Sequence, residues 1–234
     1  MKNLIAAVSI ACALAPVFAA ENEPAKTQPV SLFDGKSFDG WEGDTTKSFR
    51  IEDGAIVGGS LERPVPRNEF LATTRTYKNF VLRLKFKLLG KGANAGVQFR
   101  TKRIPNHHEV SGYQADMGDP SWWGCLYDES RRNKILAQAN IDEVNKVLKR
   151  DDWNEYIIRC EGKRIQLFIN GLRTVDYTEP DDKIEDEGII AVQIHGGPPS
   201  EAWYRDITIE VLPEKQNQER SADDETGVSV RDGH

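Results

Sequence analysis

The chain has 234 residues, of which 38% are hydrophobic and 29% charged. This is the balance of an ordinary globular protein, and it excludes a disordered chain or a helical membrane bundle. A net charge of −6 brings no clustered excess of Lys and Arg to neutralise phosphates, so nonspecific nucleic-acid binding is excluded too. A neutral polar small molecule suits the charge better, and the length fits one generous domain.

Residues 1–19 read as a secretory signal peptide, with Lys2 at the start, an apolar run from Leu4 to Leu14 and the small-residue cleavage pattern Val17-Phe18-Ala19. The run is shorter than the roughly 20 residues that span a bilayer. The expectation is an exported protein, periplasmic or secreted, without stable membrane insertion. A lipid anchor on Cys12 is not expected, because Ser9 stands where such export signals carry leucine. Residues 20–29, with Glu21, Glu23, Pro24, Lys26 and Pro29, have the composition of a linker. The domain is expected over residues 30–213, followed by a disordered tail over 214–234.

Within the domain, short strands alternate with turn signals. Ile51-Glu52-Asp53-Gly54-Ala55-Ile56 reads as strand, Asp-Gly turn, strand. From Phe80 to Leu89, Leu82, Leu84, Phe86 and Leu88 alternate with Arg83, Lys85 and Lys87, which predicts a strand with one solvated face. Residues 141–149 carry the only good helical spacing, through Ile141, Val144, Val147 and Leu148. Later strands are expected at 153–161, 163–169, 172–177, 188–195 and 203–212, with Asn170-Gly171 as the strongest hairpin signal. Many short strands and one short helix predict an all-β fold of two antiparallel sheets packed face to face.

Cys125 and Cys160 remain after cleavage of the signal. They form a disulfide if their strands are neighbours and a pair of buried thiols otherwise, and the sequence leaves both open. No Cys-x-x-Cys or His-Glu-x-x-His motif is present, which removes the familiar zinc arrangements.

The chemistry-bearing residues concentrate between Gly92 and Asp119. Strand alternation sends Val97 and Phe99 one way and Gln98 and Arg100 the other, and it opposes Gln114 and Asp116 to Tyr113, Ala115 and Met117. The loop between these strands holds His107 and His108, two of the four histidines. Further along, Trp123, Tyr127 and Glu129 share an alternating face, and Gln193 and His195 lie opposite Val192 and Ile194. Histidine is the side chain that titrates nearest neutral pH. Trp122 and Trp123 are both candidates to stack on a sugar face, with core packing as the alternative for at least one. Glu109, beside the two histidines, keeps a divalent metal among Asp116, Glu129 and the histidines as an open question.

Set in order, Leu32-Phe33-Asp34-Gly35, Ile51-Glu52-Asp53-Gly54, Asn94-Ala95-Gly96-Val97, Gly112-Tyr113-Gln114, Trp153-Asn154, Ile169-Asn170-Gly171 and Tyr204-Arg205-Asp206-Ile207 resemble the bacterial 3-keto-disaccharide hydrolase domain family. The resemblance covers about residues 30–213. It implies a concanavalin A-like jelly roll and cleavage of glycosides oxidised to a ketone at carbon 3. Many members carry Glu then Gln after the Gly-Tyr pair, where this chain has Gln114 and Asp116.

A 3-keto sugar has an acidic proton at carbon 2, so cleavage by elimination needs a base there, donors at the ketone oxygen and an acid for the leaving group. The roles expected are Asp116 as base, Arg100 at the ketone oxygen, and His195 or Glu129 as acid. Gln98, Gln114, Gln193 and Tyr113 are expected to contact the sugar, together with Trp123, Tyr127, Arg131 and His107. Two other readings stand beside this one: a noncatalytic carbohydrate-binding module, and a conventional two-carboxylate glycosidase.

Overall fold

A computed structural model describes residues 28–214. The segment read from the sequence as a signal peptide, and most of those read as a linker and a tail, lie outside the described residues. In chain order the strands are β1 (Val30–Ser31), β2 (Trp41–Glu42), β3 (Phe49–Glu52), β4 (Ala55–Ser60), β5 (Glu69–Tyr77), β6 (Phe80–Leu89), β7 (Asn94–Arg103) and β8 (Val110–Gly118). After them come β9 (Leu126–Glu129), β10 (Lys134–Ala137), the helix α1 (Ile141–Val147), β11 (Asn154–Glu161), β12 (Arg164–Ile169), β13 (Leu172–Thr178), β14 (Gly188–Ile194) and β15 (Ser200–Val211).

The strands form two antiparallel sheets. One runs β13-β12-β11-β6-β15-β4-β3, with β1 on β15, and the other runs β10-β9-β8-β7-β14-β5-β2. The alternation read from β6 holds: Phe80, Leu82, Leu84, Phe86 and Leu88 are buried between the sheets. Asn140 caps α1 by accepting from the backbone N–H groups of Asp142 and Glu143, and Val144 packs its one buried face. Among the described residues no helix is long and apolar enough to cross a membrane.

Two buried tyrosines of the first sheet reach across the core to the backbone of the second. Tyr204 on β15 donates its hydroxyl to the Gln193 carbonyl at 2.6 Å and lies 3.3 Å from that of Gly96. Tyr156 on β11 donates to the Asp116 carbonyl at 3.4 Å. The strands carrying Gln98, Asp116 and Gln193 are thus anchored from below by hydroxyls with no access to water.

Cys125 and Cys160 are free, buried thiols. Burial pushes the Cys160 thiol up to about 12 and raises that of Cys125 as well. Because the thiolate is the reactive form, neither should react with iodoacetamide in the folded protein at neutral pH. Peptide mass spectrometry should find both alkylated only after denaturation; rapid labelling of either in the native state would contradict this packing.

Candidate active site

The site is built on the outer face of the second sheet, where β9, β8, β7 and β14 lie side by side. Register places Tyr127, Gln114 and Gln98 in one row across β9, β8 and β7, and Asp116, Gly96 and Gln193 in the next across β8, β7 and β14. Glycine at position 96 is a requirement of this face: a Cβ there would lie 2.6 Å from the Gln114 side-chain carbon. The Gln114 amide therefore lies flat across β7 and accepts a 2.5 Å hydrogen bond from Gln98 Nε2. Gly118 does the same for its neighbour, since a Cβ there would meet Asn94 Nδ2 at 2.6 Å.

Asn68, Asn94, Gln114, Asp116, Trp122, Tyr127, Glu129 and His195 line one cleft of ≈ 120 Å³. Asp116 is 2% exposed, and one oxygen accepts from the Met117 N–H at 2.8 Å. Burial, reinforced by the Glu129 charge and only partly offset by the hydrogen bonds to Met117 and Gln114, raises its pKa to about 8. Glu129 is also raised, first by burial and then by the charge of Glu109. The cleft thus holds a carboxyl that keeps its proton at neutral pH beside a second one that gives it up less readily than usual.

His195 follows β14 at the exposed mouth of the cleft. Its Nδ1 lies 2.7 Å from the Gly196 carbonyl, which can only accept, so Nδ1 carries the proton and Nε2 of the neutral ring presents a lone pair. Asn68 Oδ1 accepts from Gly196 N–H at 3.0 Å, which leaves the Asn68 Nδ2 as a donor at the same wall. Trp122 and Tyr127 meet edge to face at 5.8 Å and form the opposite wall. Behind it, Gln98 Oε1 and both amide atoms of Gln193 are buried without a protein partner. The Gln193 amide stands beside the Glu129 carboxylate without a hydrogen bond of normal geometry. Buried amides are nearly always paired, so these unpartnered atoms are an exception within the fold.

Of the twelve candidates from sequence, Asp116, Glu129, His195, Gln114 and Tyr127 line the cleft, and Gln98 and Gln193 lie on the same face. The other five lie elsewhere. A bulge between Phe99 and Lys102, with Arg100 at φ 47, breaks the strand alternation. Arg100 therefore turns away and donates to the Lys78 carbonyl at 2.8 Å and the Gly162 carbonyl at 2.7 Å. Tyr113 faces the core, stacked on Phe99 at 5.7 Å, with its hydroxyl on Glu179. Trp123 is a core residue stacked on Phe86 at 6.2 Å. Arg131 pairs with buried Asp128 at 2.9 Å and covers the Tyr113 ring. His107 is exposed and stacks on His108 at 4.3 Å.

In place of these, Asn68, Asn94 and Trp122 enter the site. Asn94 lay in a motif read from the sequence, but only its pairing with Gly118 gives its amide a purpose. Among the described residues no cluster of three or more His, Cys, Asp or Glu side chains could hold a metal ion.

A larger depression of ≈ 650 Å³ lies elsewhere, lined by residues that include Thr73, Thr76, Lys102, Arg103 and Glu185. Among its charges, Lys102 pairs with Glu185 and Arg103 with Glu42. The two carboxyls that burial raises, Asp116 and Glu129, lie in the smaller cleft.

Residues 28–210 match the 3-keto-alpha-glucoside-1,2-lyase-like domain. The chain belongs to this family. No curated protein matches it in sequence. Among solved structures, a Parabacteroides distasonis protein provisionally named a glycosyl hydrolase is similar, with TM-score 0.60 and 17% identity over 79% of this chain and 94% of that one. The carbohydrate binding module CBM66 from Bacillus subtilis aligns with TM-score 0.57 and 13% identity over 73% and 95%. The Bacillus licheniformis β-glucanase aligns with TM-score 0.51 and 11% identity over 82% and 100%. At these identities the likeness establishes the jelly-roll fold, as the sequence predicts, and no activity.

Proposed function

We propose that the protein is an exported enzyme that cleaves 3-keto-glycosides by elimination. The observation that carries this reading is that a buried Asp116 and an exposed His195, whose Nδ1 faces a backbone carbonyl, line a single small cleft. Membership of the family supports carbohydrate as the substrate class.

The roles proposed here differ from those expected from the sequence. Protonated at neutral pH, Asp116 is suited to donate a proton and poorly suited to accept one. His195 Nε2 takes the proton from carbon 2, and the negative charge moves to the oxygen on carbon 3. Amide donors at that oxygen, Asn68 Nδ2 with Asn94 or Gln114, do the work expected of Arg100. The carbon 1–oxygen bond then breaks, and Asp116 delivers its proton to the departing oxygen. The ring product is an enone with a carbon 1–carbon 2 double bond. Addition of water across that bond gives net hydrolysis, with Glu129 as the second carboxyl available to the water. Trp122 and Tyr127 cover the apolar face of the ring.

Incubation with a 3-keto-glucoside should release the aglycone, while the unoxidised glucoside should be stable. His195→Ala should reduce this turnover by about 10²-fold or more, the scale of a positioned base. Cleavage of the unoxidised glucoside at a comparable rate would favour the second reading, a conventional glycosidase, which the sharing of one cleft by Asp116 and Glu129 keeps in view.

A further inference from the structure

Between β7 and β8 the chain does not turn directly but folds back over the outer face of the second sheet. At the start of this segment the Arg103 guanidinium donates to the carbonyls of Phe70 and Glu42, both at 3.0 Å. At its end Val110 packs on Phe70, Ala72 and Ala191. Residues 104–109 are closed on themselves by Ile104 N–H to the Glu109 carbonyl at 3.2 Å and His107 N–H to the Ile104 carbonyl at 3.1 Å.

Two side chains fasten this strap to opposite walls of the cleft. His108 Nδ1 donates to the Asn68 carbonyl at 2.9 Å, ahead of β5. Glu109 Oε2 accepts a short hydrogen bond from Ser130 Oγ, directly after Glu129 on β9. Strands β5 and β9 flank β14, β7 and β8 in the sheet, so the strap crosses the three strands that carry Gln193, Gln98 and Gln114. Those three amides face away from the core and yet are at most 2% exposed.

The consequence is one of shape. A jelly roll without such a strap offers an open groove along which a polysaccharide can lie. Here the way from the cleft over the Phe70 and Ala191 face is shut, and Trp122 with Tyr127 and Asn68 with His195 stand on either side. The cleft itself holds ≈ 120 Å³, the share of about four water molecules at roughly 30 Å³ each, which leaves room for no more than one sugar ring.

We propose that the strap 104–109 makes the site a blind pocket, so that the enzyme accepts an oxidised ring at the end of a saccharide and rejects the same ring within a chain. His108 and Glu109 are the residues that set this specificity, and neither touches the reacting atoms. The proposal rests on the reading of the cleft as a 3-keto-glycoside site.

The test uses two ligands of identical chemistry at the reacting carbons: methyl 3-keto-glucoside, and the same ring carrying a glucosyl group on oxygen 4. Turnover and calorimetric binding are measured separately for the full chain and for the double variant His108→Ala/Glu109→Ala. The native protein should prefer the terminal ring by about 100-fold, the scale on which pocket shape discriminates. The double variant, with an unchanged circular dichroism spectrum, should lose most of that preference while still cleaving the terminal ring. Equal handling of both ligands by the native protein, an undiminished preference in the folded variant, or no binding of either would overturn the proposal. Selective binding without turnover would instead defeat the elimination reading and leave the blind pocket standing.

Discussion

Asp116→Asn is expected to lower turnover of a 3-keto-glucoside by about 10²–10⁴-fold, the contribution of a positioned proton donor. The same substitution should make the folded protein more stable at alkaline pH. The sign follows from the shift of this carboxyl from 3.8 to about 8. Between those values the folded state holds a proton that the unfolded state has released, so the stability contributed by Asp116 is complete below about 3.8 and lost as pH rises to 8. Above pH 8 the native protein must bury a carboxylate, and asparagine removes that cost. A tenfold change in proton affinity corresponds to about 1.4 kcal/mol. Relaxation and water entry reduce the effective penalty of a buried ion. We expect the variant to be more stable than the native protein by about 2–4 kcal/mol at pH 9, with little difference at pH 4. Urea denaturation at the two pH values measures this directly. A loss of stability at pH 9 would show that Asp116 is ionised and satisfied in the fold, and the acid role would fall with it.

Arg132→Ala should produce the largest loss of stability at neutral pH among single substitutions outside the apolar core. Arg132 contacts buried Asp128 through Nε and grips Glu179 with Nη1 at 3.0 Å and Nη2 at 2.8 Å. The Tyr113 hydroxyl donates to the same Glu179 at 2.7 Å. Burial pushes Glu179 up, but the hydrogen bonds from Arg132 and Tyr113 outweigh it and hold the carboxyl down at about 2. Without the guanidinium, two carboxylates stay between β9 and the chain after β13, with Arg131 on Asp128 and only the neutral donors of Tyr113, Tyr177 and the Asp181 N–H on Glu179. Removing one partner of a buried ionic group costs about 3–5 kcal/mol, and the partial exposure of Arg132 places this case near 3 kcal/mol. Because a depressed carboxylate contributes stability that is lost as pH falls through its folded value, the difference between native and variant should shrink towards pH 2. A difference independent of pH would mean that lost packing, not lost charge pairing, is responsible.

The parts of the site that sit on unbroken strands were legible in the sequence, because a period of two is enough to assign a face. Gln98, Gln114, Asp116 and Gln193 fall where alternation puts them, and Tyr127 and Glu129 share the cleft for the same reason. The period fails wherever the ladder does. One extra residue in the β7 bulge, with Arg100 in the left-handed region, sends the guanidinium to the Lys78 and Gly162 carbonyls; nothing in the residues Gln98 to Lys102 announces it. Trp122 and Trp123 lie in the loop before β9, where alternation has no force, and the structure gives the first to the cleft and the second to the core. Asn68 contributes through its position beside Gly196, a contact across 128 positions of sequence that no local pattern encodes. Tyr113 was assigned to the core face by its period and to the sugar by its motif, and the period was right.

These corrections change the chemistry more than the fold. Without Arg100 the cleft has no cation for the ketone oxygen, and stabilisation there passes to neutral amides in a small, water-poor space, where fixed dipoles act strongly. With no cation beside it, Asp116 is drawn towards ionisation only by its hydrogen bonds from Met117 and Gln114, and burial outweighs them.

The claim at the centre of this account is that carbon 2 is deprotonated before the glycosidic bond breaks. Incubating the protein with methyl 3-keto-glucoside in deuterated water, and following the carbon 2 proton and the released methanol by NMR, tests it most directly. The account predicts that the carbon 2 proton is lost as methanol forms in the native protein, leaving an enone with no hydrogen at carbon 2 or, once water has added, deuterium there, and that His195→Ala shows neither loss of that proton nor methanol. Methanol release with the carbon 2 proton fully retained would contradict it.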